Sequence, residues 1–311
     1  MCTAVNMTDT RLFGRTLDLE RGYGEEIVIT PKGFSFGNFQ TKYPIIGVAA
    51  VSSNVPLYFD GMNGRGLCAA ALNYPDFAIY SKPRSGKTNI PSYTILPYIL
   101  GNCATVKDAL DLLSEANVTD TPFSKELPPS PLHWIISDGS GSICAEPHRN
   151  GLSLHINPFN VLTNSPNFEY HSLRVCDHMS ISPYAPENYI CPDAELRNYS
   201  RGLGATGLPG DFSSSSRFIR ALFSVNHTRV TADPVCDFFH IMDTVALPNG
   251  TVITEDGAEV RTVYTACADR NNMAYYFTTY ECRRIRAVRL VDTKKLLRYS
   301  MKSGEDIDLL N

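Results

Sequence analysis

The second residue of the chain is a cysteine, in the opening MCTAVNMTD. Aminopeptidases remove an initiating methionine when the next side chain is small. Cysteine is small enough, so the mature chain is expected to start at Cys2, with a thiol and a free α-amine on one residue. That pairing is a nucleophile and a base together: a thiol ionises near pH ~8.5 and an α-amine near pH ~8, so a proton passes between them at little cost. Taken alone, Cys2 also reads as an incidental cysteine on a frayed chain end.

Whatever positions such a residue must come from the rest of the chain. Its 311 residues, 43% hydrophobic and 19% charged, are enough to bury a sizeable core, and they read as one domain over 1–311. A formal charge of −4 offers no electrostatic footing to nucleic acid or to an anionic membrane, and RRIR at 283–286 reads as a solvated strand face. No apolar run approaches the roughly 20 residues of a membrane span, and the N-terminus has no signal-peptide pattern, so a cytoplasmic location is expected. The nine cysteines are scattered without a CxxC pair, which argues against a zinc site and against a disulfide framework. Most are expected to be reduced core residues.

Apolar segments bounded by turn residues predict strands at 26–30, 45–51, 56–59 and 67–73, and again at HWIIS, SICAE and LSLHI, with a turn at 138–141. Helical spacing runs from Tyr93 to Ala116, with a Thr105/Asp108 cap and a stripe of Val106, Ala109, Leu110 and Leu113. Further helices are predicted at 213–225 and 234–246, the second carrying Val235, Phe238, Phe239 and Met242 on one face, followed by strands at 261–266, 273–280 and 285–290. The stretch 165–212 reads as irregular, too long for an ordinary connection, and therefore as a functional or assembly segment. Elements in blocks predict an α+β protein with sheets packed on each other and helices outside, not βαβ alternation.

The start CTAVNMTDTRLFGRTLDLE resembles the N-terminus of the choloylglycine hydrolase family, which contains the bile salt hydrolases and penicillin V acylases. The resemblance continues through PLYFDGMNGRGLCAAALNYP, LPPSPLHWIISD, NVLTNSPNF, GLGATGLPGDFSSSSRF and FTTYE, over essentially the whole chain. It implies an N-terminal nucleophile hydrolase with a four-layer αββα sandwich. It also implies a thioester acyl-enzyme and no metal or organic cofactor. Position by position, Cys2 is the implied nucleophile with its amine as base, Asp18 holds that amine, and Arg15 and Arg217 favour the thiolate. The Asn164 side chain and the backbone N–H of Asn73 are the implied oxyanion donors. The segment at about 165–212 is the implied homotetramer contact.

In a straight strand residues 15 and 18 point to opposite faces, so serving Cys2 together is expected to require a bend or bulge between them. Singly, Arg15 and Asp18 read as a surface ion pair worth about 0–1 kcal/mol, Asn164 as an Asx turn and Arg217 as a helix-surface residue. A cysteine-protease pairing of Cys2 with His133 or His240 has no local signature, and both histidines, like Trp134, read as core. GLGATGLPGD does not follow a strand and open a helix as a phosphate loop does. For substrate, Asn73 follows the bile salt hydrolase pattern, whereas penicillin V acylases commonly carry Tyr there. Leu19, Phe59, Met62 and Leu132 are candidate wall residues for a steroid face. The expected substrate is a glycine- or taurine-conjugated bile acid. The alternatives are penicillin V or an N-acyl homoserine lactone, or a catalytically silent scaffold.

Overall fold

The structure, a computed structural model, describes residues 1–302. In chain order the strands are β1 (Cys2–Met7), β2 (Leu12–Leu19), β3 (Glu26–Thr30), β4 (Ile45–Ser52), β5 (Val55–Asn63), β6 (Cys68–Asn73), β7 (Thr88–Pro91), β8 (Ala116–Thr119) and β9 (Leu132–Asp138). They continue as β10 (Gly141–His148), β11 (Gly151–Asn157), β12 (Val161–Leu162), β13 (Val252–Ile253), β14 (Glu259–Asp269), β15 (Ala274–Thr279), β16 (Arg286–Arg289) and β17 (Leu297–Ser300). The α-helices are α1 (Ile95–Asn102), α2 (Val106–Ser114), α3 (Phe168–Val175), α4 (Ser214–His227) and α5 (Pro234–Asp243).

One antiparallel sheet runs β12-β1-β2-β14-β15-β16, with β13 beside β14; the other runs β11-β10-β9-β6-β5-β4-β3-β17. Helices α4 and α5 cover the outer face of the first sheet, and α1 and α2 cover the outer face of the second. The result is the expected αββα sandwich. One apolar core fills the space between the sheets and reaches under α4 and α5 through Phe218, Phe238 and Met242. A second, around Trp134, Ile99 and Leu113, seals the other sheet to α1 and α2.

The helical stretch predicted over 93–116 holds two helices, α1 and α2. Asn63 Nδ2 donates to the carbonyls of Leu100 and Cys103, 2.7 Å each, and so satisfies the end of α1. The Thr105/Asp108 capping box then starts α2 as anticipated. Within the stretch read as irregular, Asn167 caps α3, which buries Phe168 and His171, and short 3₁₀ turns follow at 176–178 and 203–205. Strands β1, β7, β8, β12, β13 and β17 were not anticipated.

Two bulges decide which residues face the gap between the sheets. Opposite β4, Val48 pairs with Asp60 but Ala49 with Tyr58, leaving Phe59 as an extra residue. Tyr58 therefore joins the outer core, while Asp60 turns inward. Opposite β2, Thr262 pairs with Asp18 but Tyr264 with Leu17, so Val263 is extra and Tyr264 faces the second sheet. Gly14 lies where β2 meets β14 under α5. A Cβ there would sit 1.9 Å from the Ala266 carbonyl oxygen and 2.8 Å from Phe238 Cζ. Since the first of these is paired backbone, Gly14→Ala is expected to lower stability by more than about 3 kcal/mol. Urea unfolding checks this; an unchanged midpoint would contradict the packing described.

Candidate active site

Cys2 opens β1, almost fully buried, and pairs with Leu17. Directly paired residues share a sheet face, so the Cys2 thiol lies between the sheets with Leu17 and with Arg15 diagonal to it. Arg15 reaches across to the second sheet: Nη1 donates to the carbonyls of Ala71 (2.6 Å) and Phe59 (3.2 Å), and Nε donates to Thr16 O (3.1 Å). Its Nε lies 3.8 Å from Asp60. Burial opposes the Arg15 charge, but Cys2, Tyr264, Asp60 and Asp18 outweigh it and hold the guanidinium above its ordinary range.

Asp18 stands on the other face. Its carboxylate accepts from Thr262 Oγ1 at 2.6 Å and from Thr16 Oγ1 at 3.1 Å. Arg217 of α4 covers the same side, wholly buried. Its Nη1 donates to Cys2 O (2.5 Å) and Thr3 Oγ1 (2.6 Å), and its Nε to Phe212 O (3.1 Å). Burial pulls this guanidinium down, against Asp18 and Cys2. Met1 prolongs the pairing: its ammonium donates to the Asp18 carbonyl, and Asp18 N donates to Met1 O at 2.9 Å.

Asn164 joins these parts. Its Oδ1 accepts from Cys2 N and from Arg217 Nη2, both at 2.7 Å, and its Nδ2 donates to Asn73 O at 2.8 Å. The carboxamide is thereby held in one orientation, with the second Nδ2 hydrogen left over. Its backbone is clamped as well: Ser214 Oγ lies 2.8 Å from both Asn164 N and Asn164 O, and His171 Nε2 donates to Asn164 O at 2.8 Å. Behind it, His133 Nε2 donates to Thr163 O (2.8 Å) while Nδ1 lies 3.2 Å from Glu146, which also accepts from Phe168 N (2.9 Å). Burial opposes the Glu146 charge, yet His133 and the Phe168 N–H hold its carboxyl below the usual range.

A thiol at residue 2 beside one buried guanidinium, with its backbone nitrogen on a fixed carboxamide beside another, is an arrangement suited to acyl transfer. The sequence profile of the linear amide C–N hydrolases, choloylglycine hydrolase family, matches residues 2–304. The chain belongs to the choloylglycine hydrolase family. It is 36% identical to a Lactiplantibacillus plantarum protein named bile salt hydrolase/transferase, over 97% of this chain and 98% of that one. It is 35% identical to the bile salt hydrolase/transferase of Clostridium perfringens, over 93% and 92%. Among solved structures it is similar to a mutant conjugated bile acid hydrolase from Clostridium perfringens, with 33% identity, a TM-score of 0.92 and full coverage of both chains. Penicillin V acylase from Agrobacterium tumefaciens, at 22% identity and TM-score 0.75 over 97% and 92% of the chains, shares the fold.

In this member of the family the structure draws Cys2, Arg15, Asp18, Asn164, Arg217 and the backbone of Asn73 together, but not as expected. No bulge separates Arg15 from Asp18 on β2, whose register with β1 is regular. The two residues stay on opposite faces and address opposite sides of Cys2; the bulge falls on β14 instead. Of the candidate wall residues, Leu19 is nearly buried at the end of β2 and Phe59 is the extra residue of its bulge. Met62 is fully enclosed between the sheets, and Leu132 packs against the core under α1 and α2, the sheet face it shares with its partner Asn73. A cavity of about 500 Å³ lined by Thr262, Thr265 and Thr278 opens on the helix-facing side of the first sheet, away from the thiol. His133 and Trp134 are core residues as read, whereas His240 is exposed beside Cys236.

Thr262, Ser214, His171 and Glu146 escaped the sequence reading: Thr262, Ser214 and Glu146 have partners tens or hundreds of positions away, and His171 bonds a backbone carbonyl seven positions back across a turn, which no side-chain motif marks. His171 leaves a pH signature. Burial pushes its pKa from the ordinary 6.5 down to about 4. As pH falls through that window the unfolded chain takes up a proton that the folded chain refuses. Stability therefore drops between about pH 6.5 and 4, by roughly 3 kcal/mol in all. His171→Gln keeps a donor for Asn164 O and cannot ionise. Urea midpoints measured from pH 7 to 4.5 are expected to fall less steeply in the variant; equal slopes would remove His171 from the account.

Proposed function

We propose that the enzyme hydrolyses the amide bond of glycine- or taurine-conjugated bile acids, with Cys2 as nucleophile once Met1 has been removed. The observation that carries this reading is the Asn164 carboxamide, bonded at once to Cys2 N, Arg217 and Asn73 O. The names of the relatives support the substrate.

In the proposed sequence the freed α-amine takes the thiol proton and the sulfur attacks the amide carbonyl, forming the C–S bond. Arg15 favours the thiolate, and Asp18 holds the ammonium. The oxyanion is met by the remaining Asn164 Nδ2 hydrogen and by the Asn73 N–H. The amine then passes its proton to the leaving nitrogen, the C–N bond breaks, and the thioester is left. Water deprotonated by the same amine attacks the thioester, releasing the acid and restoring the thiol. While Met1 remains, its peptide bond removes the base, so that form is inactive.

The reading places the enzyme in the cytoplasm as a homotetramer, assembled through the 165–212 segment. That segment exposes Leu173, Met179, Tyr189, Ile190 and Tyr199, an apolar surface of the kind that marks a protein contact.

The decisive experiment combines intact mass with turnover. Loss of Met1, release of glycine or taurine from conjugated bile acids, and no turnover by a folded Cys2→Ala variant are expected. Full activity with Met1 retained would exclude the α-amine as base. An apolar steroid buries more surface than a phenoxyacetyl group, at about 25 cal/mol per Å². Thus kcat/KM for glycocholate or taurocholate is expected to exceed that for penicillin V at least about tenfold, a difference of only about 1.4 kcal/mol. A preference for penicillin V would overturn the substrate and leave the mechanism standing. Light scattering that reads a monomer would remove the tetramer.

A further inference from the structure

Beneath the thiol, on the inter-sheet side, lies a carboxylate for which the reaction just described has no use. Asp60 is fully buried, and three side chains from the first sheet meet it. Tyr264 donates its O–H to Oδ2, Tyr275 donates its O–H to Oδ1, and Arg15 Nε stands 3.8 Å away. Burial and the Asp60 charge push both phenols well above their ordinary range, so they remain protonated donors.

The placement depends on both bulges. Without the extra Phe59, Asp60 would follow Tyr58 into the outer core; without the extra Val263, Tyr264 would follow Thr262 toward the helices. Two departures from regular pairing thus converge on one ion cluster between the sheets.

Arg15 is held on three sides. Nη1 is fixed on Ala71 O and Phe59 O, Nε on Thr16 O, and Nη2 is buried with no hydrogen-bond partner among the described residues. Among the described residues the carboxylate beside this cation on its own side of the sheet is Asp60, and the Cys2 thiol and the Tyr264 phenol are the other titratable groups that act on it there.

We propose that Asp60, gripped by Tyr264 and Tyr275, is a positioning residue that aims Arg15 and fixes how much of its positive charge reaches the Cys2 thiol. The proposal rests on Cys2 being the nucleophile. The two phenol O–H groups draw off part of the carboxylate's charge, as donors to an anion do. What they draw off no longer cancels Arg15, and the guanidinium keeps its hold on a thiolate. The other groups that bear on the pair are Asp18 and Arg217, on the opposite face of the sheet, with Glu25 acting on Tyr264 and Cys68 on Tyr275.

The test uses the processed full-length enzyme and the rate of Cys2 alkylation by iodoacetamide as a function of pH, the modified residue being identified by peptide mapping. Burial opposes the Asp60 charge and the two phenol donors offset it. With one donor gone in Tyr275→Phe or Tyr264→Phe, the carboxylate's charge is shared with one fewer partner and falls more fully on Arg15, so the pH of half-maximal alkylation is expected to rise by about half a unit or more. Asp60→Asn removes that charge and is expected to move it the other way. A purely structural role would not shift the tyrosine and aspartate variants in opposite directions. Should Asp60→Asn fail to fold, the two phenylalanine variants decide the matter: an upward shift in both supports the proposal. An unchanged or lowered midpoint in either, or a common direction for all three, overturns it. Wild-type activity that survives complete alkylation of Cys2 would instead overturn the nucleophile assignment on which it rests.

Discussion

A guanidinium taken wholly out of water between two sheets must be met by acceptors on nearly every side, since each buried ion costs several kcal/mol in lost hydration. Arg15 is in that position. The groups that meet it are two carbonyls of the second sheet, one carbonyl of its own strand and the Asp60 carboxylate. These contacts cross from β2 to β5 and β6, so satisfying one charge also sets how the two sheets lie on each other. Apolar packing alone tolerates small slides between sheets; a buried ion with fixed acceptors does not.

The second buried arginine completes the frame from the other side. Arg217 comes down from α4 onto the helix-facing surface, holding Cys2 O, Thr3 and Asn164. Residue 2 therefore sits between two cations, one per sheet face, and its thiol and its nitrogen are served separately. Asn164 connects the frames because its carboxamide is used at both ends. The clamp of Ser214 and His171 behind it leaves its backbone little room to move.

Much of the scaffold was legible along the chain. The strands at 26–30 and 45–51, the paired strands around 138–141 and the Thr105/Asp108 capping box all follow from local period and local caps. Within the helical stretch 93–116 the cap that opens α2 was legible, whereas the end of α1 was not, because its carbonyls are met by Asn63, some forty positions upstream. α3 was overlooked for a similar reason, since its N-terminus is tied by Glu146 as well as by Asn167. Strand β2 shows most clearly where patterning stops helping. All eight of its residues are buried, polar and apolar alike, so the usual alternation of wet and dry faces does not appear.

The sequence by itself determined which chemical groups are available and, through the two-residue period of a strand, that Arg15 and Asp18 face opposite ways. It also set a cysteine directly after Met1. Only the tertiary structure decided that both cations are buried, that Asp60, Tyr264 and Tyr275 converge on one of them, and that Asn164 joins Cys2 to Arg217. The reason is the bulges: each is an extra residue in one strand counted against another, a property of the pairing, and a single extra residue reverses which face every later side chain occupies.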